Sequence, residues 1–271
     1  MRALVHLSDL HFGSIHGELI EPLVEAVRRI RPSLIAVSGD LTQRARPIQF
    51  RAARAFLDRL AAPRIVVPGN HDVPLYNVFA RFRGLSGYRR YLSEDLEPFY
   101  RDGEVAVLGI NTARAFTFKS GRINAQQVTR AATLLSEQPE GVTKIIVTHH
   151  PFDLPETYQR RVLVGRAQMA IERLNGCQVD LFLAGHFHIG GAAPTAFHLP
   201  IKGYSSVVVQ AGTALSDRTR GEPNTFNVIR VDLPRLSLER YDWDPQDARF
   251  TLTETLHFRH GAAGWSRLVA L

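Results

Sequence analysis

Over the N-terminal quarter of the chain, short apolar runs alternate with longer stretches whose apolar residues recur every three or four positions. Leu4–Leu7 is one such run and ends at Ser8-Asp9. Leu34–Val37 ends at Gly39-Asp40, and Ile65–Val67 ends at Pro68-Gly69-Asn70-His71-Asp72. Between them, Leu19, Leu23, Val27 and Ile30 mark one face of a helix that stops at Pro32, and Phe50–Leu60 repeats the pattern. Short apolar runs bounded by turn residues read as buried strands, and the 3.6-residue period reads as an amphipathic helix. The resulting βαβαβ order predicts a parallel sheet with right-handed crossovers. In such sheets the groups that act on ligands lie beyond the carboxyl ends of strands, where each polar cluster falls.

The rest of the chain continues in kind. Val105–Asn111, Lys144–Thr148 and Leu181–Ala184 read as strands. Asn124 is placed to cap a helix running to about Ser136, with Gln127 at the reciprocal capping-box position, and Met169–Leu174 carries a helical pattern. Tyr76–Tyr100, rich in arginine and aromatic residues, reads as a cap or insertion of short helices. Val207–Gln210, Thr225–Asp232, Leu236–Tyr241 and Ala248–Phe258 read as a strand meander that could form a second sheet. With no repeat, linker or low-complexity stretch, one domain over residues 1–271 is expected.

Five segments share one design, an apolar strand followed by a tight turn bearing Asp, Asn or His. They are Asp9-Leu10-His11, Gly39-Asp40, Gly69-Asn70-His71-Asp72, His149-His150-Pro151 and Gly185-His186-Phe187-His188. Any one of them has an ordinary explanation, since a strand-end Asp commonly caps a helix. Five in succession at strand ends point instead to a metal site. Carboxylate oxygens with imidazoles, and no thiolate, suit Mn, Fe or Zn. A carboxylate can bridge two ions, and glycine permits the tight turns.

Composition narrows the setting. Apolar residues make up 45% of the chain, enough for a sizeable core, and the single cysteine, Cys177, excludes an internal disulfide. No signal-peptide pattern and no membrane-length apolar run is present, so the expected location is the cytoplasm, with peripheral contact at the inner face of the membrane as an alternative. The formal net charge is +7, and thirty of the 33 basic residues are arginine, because Lys119, Lys144 and Lys202 are the only lysines. Such a surface attracts anions without naming one.

On these five motifs the sequence resembles the calcineurin-like metallophosphoesterases, whose signature runs D-x-H, G-D, G-N-H-[DE], H and G-H-x-H; the likeness covers roughly residues 1–215. The resemblance implies an α/β fold, a four-layer αββα sandwich with two mixed β-sheets flanked by helices. It implies two divalent or trivalent metal ions, one held by Asp9, His11, Asp40 and His188, the other by Asp40, Asn70, His149 and His186. The family's His-x-Pro pattern selects His149 over His150. A hydroxide generated between the metals would be the nucleophile. His71 would be the catalytic residue, stabilising charge or protonating the leaving oxygen, with Asp72 or Asp9 orienting its ring. His150, Asn70 and Arg44 are candidates for contact with substrate. His6, His16, His198, His257 and His260 read as ordinary polar residues, His16 being near enough to the first motif to reach the site.

The Ser-Asp-Leu-His-Phe-Gly start and the His-His-Pro look most like class III cyclic nucleotide phosphodiesterases. Gln43 stands where purple acid phosphatases usually carry tyrosine, and the run after Gly39-Asp40 lacks the Val-Asp-Arg-Gly of protein phosphatases. A small phosphodiester is therefore the expected substrate. Two alternatives use the arginines of Tyr76–Tyr100: a phospholipid or lipid-linked pyrophosphate hydrolase at an anionic membrane surface, with Tyr76, Phe79, Phe82, Tyr88 and Tyr91 at the interface, and a nuclease with a backbone-binding track.

Overall fold

A computed structural model of the chain describes residues 1–74, 81–117, 119–154, 163–195 and 204–268. Thirteen strands among these residues form two mixed sheets. The first sheet has the order β13-β12-β11-β10-β1-β2-β3, built from β1 (Arg2–Leu7), β2 (Leu34–Val37), β3 (Arg64–Val66), β10 (Thr225–Asp232), β11 (Arg235–Asp244), β12 (Arg249–Gly261) and β13 (Gly264–Leu268). The second has the order β4-β5-β6-β7-β9-β8, built from β4 (Phe99–Arg101), β5 (Val105–Gly109), β6 (Thr143–Val147), β7 (Leu181–His188), β8 (Gly191–Pro194) and β9 (Val207–Gly212). The helices are α1 (Ile20–Ile30), α2 (Pro47–Leu57), α3 (Ser86–Tyr91), α4 (Ala125–Ser136) and α5 (Ala167–Asn175).

The period-2 alternation of side chains explains how the sheets stack. Leu4, Leu34, Ala36 and Ile65 point from the first sheet into a buried cluster that also takes Val105, Val107, Ile145, Val147, Leu181 and Leu183 from the second. Their neighbours Val5, Leu7, Ile35 and Val37 point the other way, onto Leu23 and Val27 of α1 and Phe50 and Phe56 of α2. On the far side Leu108, Ile146 and Phe182 meet Val128 and Leu135 of α4 and Ile171 and Leu174 of α5. Three apolar interfaces separate four layers, helix–sheet–sheet–helix. β2 is buried along its whole length, as a central strand covered on both faces must be.

β1, β2 and β3 are parallel, as the alternating pattern predicts. The meander does not form a sheet of its own. Val207–Gln210 lies in β9, parallel to β7 in the second sheet, whereas Thr225–Asp232 is β10, antiparallel to β1. Pairing there gives the edge of β1 away from β2 its partner and satisfies its backbone groups. Local boundaries also shift. α2 begins at Pro47, a residue suited to a first turn because its missing N–H would be unpaired anyway. Asn124 caps α4 as expected: its side chain accepts from Gln127 N at 2.9 Å, and Gln127 Oε1 accepts from Asn124 N at 3.0 Å.

The arginine- and aromatic-rich segment contains the short helix α3, but its aromatic residues do not form one exposed face. Tyr88 is fully buried and donates its hydroxyl to the Val66 carbonyl at 2.9 Å, and Tyr91 stacks on Phe50 at 6.1 Å. Phe82 is 71% exposed; Tyr76 and Phe79 lie outside the described residues, as does His198.

Candidate metal centre

Asp9 and His11 follow β1, Asp40 follows β2, and Asn70, His71 and Asp72 form a single 3-10 turn after β3. His149 and His150 follow β6 of the other sheet. His186 and His188 are not beyond a strand but within the end of β7, whose pairing with β9 slips between Ala184 and His188. All of these lie at the carboxyl ends of parallel strands. The turns after β1 and β2 are zipped together by Asp9 N→Gly39 O at 3.1 Å and His11 N→Asp40 O at 2.9 Å.

The local backbone is strained where the side chains must converge. Asp9, His11 and Asp40 sit at φ of 51°, 51° and 50°, and His186 and His188 at 80° and 59°. A left-handed conformation is uncommon for residues with a side chain and each instance costs about 1–3 kcal/mol, tolerated where the surrounding structure enforces it. Two glycines allow the turns to approach. Gly39 has φ +90°, and a methyl group there would lie 2.8 Å from both Gly69 N and His149 Nδ1; one on Gly69 would collide with the Asp40 carboxylate.

The donor atoms form two sets that share one oxygen. In the first, Asp9 Oδ1 is 3.6 Å from His11 Nε2 and 3.2 Å from His188 Nε2. His11 Nε2 is in turn 3.1 Å from His188 Nε2 and 3.6 Å from Asp40 Oδ2. In the second, that same Asp40 Oδ2 is 3.4 Å from His149 Nε2. Asn70 Oδ1 lies 3.0 Å from His149 Nε2 and 3.1 Å from His186 Nδ1, and the two nitrogens are 3.3 Å apart. Ligands bound to one ion at about 2.0–2.2 Å stand roughly 3.0–3.5 Å from one another, so each set has the dimensions of a coordination shell.

Several of the remaining atoms of these groups are committed elsewhere, while His11 Nδ1 is buried without a partner. Asp9 Oδ2 accepts from Ser8 Oγ at 2.6 Å and His186 N at 2.9 Å, while Asp9 Oδ1 is buried without a hydrogen-bond partner. An orphaned buried carboxylate oxygen facing imidazole nitrogens is what a cation would satisfy. Asp40 Oδ1 accepts from His71 N at 2.8 Å. His149 Nδ1 donates to the Ser38 carbonyl at 2.8 Å, and His188 Nδ1 to the Arg218 carbonyl at 2.7 Å. Such bonds fix the tautomer that leaves Nε2 free to ligate.

Burial works against both charged carboxylates, but the surrounding histidines hold Asp9 and Asp40 well below the usual range, so both remain ionised. Burial, reinforced by the charge of His149, lowers His186 to about 3. For two other histidines burial is outweighed: Asp40 and Asp9 push His149 up to about 9, and Asp9 raises His188.

The neighbours of this cluster differ from expectation in three ways. Asp72 and Asp9 do not orient His71. Asp72 braces the loop by accepting from Gly69 N at 2.9 Å, Leu41 N at 3.2 Å and Thr42 N at 2.9 Å; burial and the Asp40 charge raise its carboxyl to about 7. The ring of His71 is held instead by the Gln43 carbonyl on Nδ1 at 2.9 Å, with Arg218 Nη1 against Nε2 at 3.2 Å. His150, although its ligand atom lies within 4.8 Å of those of His149 and His186, is not turned toward a ligand. Its Nδ1 pairs with Thr112 Oγ1 at 2.8 Å and its Nε2 with the Lys119 carbonyl at 3.1 Å. His6, read as an ordinary polar residue, is fully buried between the sheets, with Nε2 2.9 Å from Ser38 Oγ and its pKa lowered to about 3 by burial. His16 pairs with Glu18 away from the cluster. Arg44 lies exposed on the turn after Asp40, its backbone N–H on Gln49 Oε1 at 2.9 Å. In the sequence Gln43 stood out only as the residue in place of a tyrosine, and Arg218 was not singled out.

The family model for calcineurin-like phosphoesterases matches residues 3–190. The chain belongs to this family. Among curated relatives of this calcineurin-like phosphoesterase, a cAMP/cGMP dual specificity phosphodiesterase of Mycobacterium tuberculosis is 28% identical over 258 residues, covering 84% of this chain and 75% of the relative. A probable cyclic nucleotide phosphodiesterase of Synechococcus is 25% identical over 218 residues, 72% of this chain and 78% of that one. Among solved structures, a dimetal phosphatase from Danio rerio superposes with a TM-score of 0.69 at 14% identity, covering 96% of this chain and 99% of its own, a likeness of fold. The chain is thus a phosphoric ester hydrolase whose clustered Asp and His residues could hold metal.

Proposed function

We propose that this calcineurin-like phosphoesterase is a binuclear metal-dependent phosphodiesterase acting on cyclic nucleotides or a similarly small diester. The observation that carries the binuclear reading is the pair of four-donor sets meeting at Asp40 Oδ2. Asp9, His11, Asp40 and His188 would hold one ion and Asp40, Asn70, His149 and His186 the other; the mixture of oxygen and imidazole donors suits Mn, Fe or Zn. A metal pair, when bound, lowers the pKa of water to near neutral and takes up charge from phosphoryl oxygens. The remaining work belongs to the chain. The Ser38 and Arg218 carbonyls keep two of the imidazoles in the ligating tautomer. Gln43 orients His71 so that Nε2 is the atom that would hold the proton destined for the leaving oxygen. The names of the cyclic nucleotide phosphodiesterase relatives support the substrate class.

The test is a hydrolysis panel with added Mn²⁺: bis-p-nitrophenyl phosphate, 3′,5′-cyclic nucleotides, phospholipid vesicles and single-stranded DNA. Turnover of the first two, with two metals per chain by elemental analysis and loss of both on Asp40→Ala, is the expected result. Preference for vesicles or DNA would move the assignment to a lipid or nucleic acid substrate, and metal-saturated protein inert toward all four would overturn it.

A further inference from the structure

Arg218 lies in the turn after β9 and meets the cluster twice. Its carbonyl accepts from His188 Nδ1 at 2.7 Å, which pins its backbone to one donor set. Its side chain then reaches across the opening, bringing Nη1 to 3.2 Å from His71 Nε2 and 3.5 Å from Gln43 Oε1. His71 Nδ1 donates to the Gln43 carbonyl, so Nε2 is the ring atom left to accept from Arg218 Nη1. Neither Gln43 nor His71 offers it a carboxylate. Asp217, the adjacent carboxylate, is turned away and accepts from Ser14 Oγ at 2.8 Å, and no carboxylate among the described residues pairs with the Arg218 guanidinium. A part-buried arginine fixed beside two anionic donor sets, with no counter-ion of its own, is a ready-made phosphate fork.

We infer that Arg218 is a substrate-binding residue that takes a non-bridging oxygen of the scissile phosphate, releasing His71 Nε2 as it does so. The inference rests on the phosphoesterase reading above and deepens it. While Arg218 donates to Nε2, that atom can neither take up a proton nor pass one to a leaving oxygen. The better acceptor offered by an anionic phosphate draws the guanidinium away, so binding and uncovering of His71 are one event. Arg218 therefore favours ligands that carry negative charge on phosphorus over neutral esters of similar shape.

The experiment uses full-length, Mn²⁺-loaded protein, with inorganic phosphate as the probe. Phosphate affinity is measured by calorimetry, and KM and kcat with bis-p-nitrophenyl phosphate, for wild type, Arg218→Met, Arg218→Ala and Arg218→Lys. Loss of a charge-assisted fork should weaken phosphate binding by about 10- to 100-fold in Arg218→Met and Arg218→Ala, with KM rising in parallel and metal content unchanged. Arg218→Lys should recover part of the affinity, since it restores the charge and not the fork. Phosphate affinity equal to wild type in Arg218→Met would overturn the inference, whether or not kcat falls. Metal loss in that variant would overturn it too, by placing the side chain's role in the scaffold of His188. A wild type that binds phosphate through Arg218 but hydrolyses no ester would instead sink the phosphodiesterase reading and leave this anion site standing.

Discussion

At the scale of single residues, the centre is aimed by committing atoms that do not face the cluster, although His11 Nδ1 is buried without a partner. Asp9 Oδ2, Asp40 Oδ1, His149 Nδ1 and His188 Nδ1 each have a protein partner, and their opposite atoms converge. His71 differs in having its ring tied to Gln43 rather than to the cluster. His71→Ala should therefore lower kcat by about 10²- to 10⁴-fold with both metals retained; an unchanged kcat in a metal-replete variant removes it from the mechanism. His6 gives a separate, pH-dependent prediction. Its folded pKa of about 3 lies below the ordinary 6.5, so above 6.5 both folded and unfolded states are neutral and it contributes nothing. As pH falls below 6.5 the unfolded chain takes up a proton that the folded one refuses, and stability is lost at up to about 1.4 kcal/mol per pH unit until the folded group titrates. In metal-free protein, His6→Gln should flatten the plot of unfolding free energy against pH across that window. Identical slopes would show that His6 is not the group responsible.

At the scale of elements, caps and turns that look alike in sequence divide into those that stabilise and those that aim. The reciprocal cap of Asn124 and Gln127 belongs to the first kind. Asn124→Ala should lower the unfolding free energy by about 1 kcal/mol, read as a drop in Tm, and leave kcat/KM as in wild type; a loss of activity at full occupancy of the fold would tie α4 to the site. The turns after β1 and β2 and the end of β7 belong to the second kind, since Asp9, His11, Asp40, His186 and His188 there are left-handed. Those turns were legible because a parallel strand ends where its apolar run ends. The capping-box spacing of α4 was legible for the same local reason. What holds the His150 ring was not legible, because Thr112 and Lys119 come from a different loop.

At the scale of the whole molecule, two sheets must be held in register for their strand ends to share one site. The apolar layer between them does most of this, through residues such as Leu4 and Leu34 against Ile145 and Leu183. A polar tie joins the sheets as well. Asp180, just before β7, accepts from Trp265 Nε1 of β13 at 2.8 Å and from the Tyr204 hydroxyl, which also pairs with His260 Nε2 at 2.9 Å. Trp265→Phe keeps the ring but removes a donor to a buried carboxylate, and should cost about 1–3 kcal/mol in chemical denaturation with metal content unchanged. Stability equal to wild type would mean that the tie is satisfied by other donors or by water.

The sequence by itself determined the strands and helices of the parallel core and pointed to the seven side chains that the fold gathers, because burial on both faces leaves continuous apolar runs and Asp, Asn and His stand out in the turns that end them. It did not determine which strands pair. β9 and β10 both read as members of one meander, yet they enter different sheets, since an apolar strand can bury itself against either and the open edge of β1 decides. Only the tertiary structure placed His6 between the sheets, gave His71 its Gln43 partner and brought Arg218 across to the centre. Those contacts span 32, 28 and 147 residues of sequence, and the loops that make them carry no periodic pattern, so the packing of the four layers alone sets where they meet.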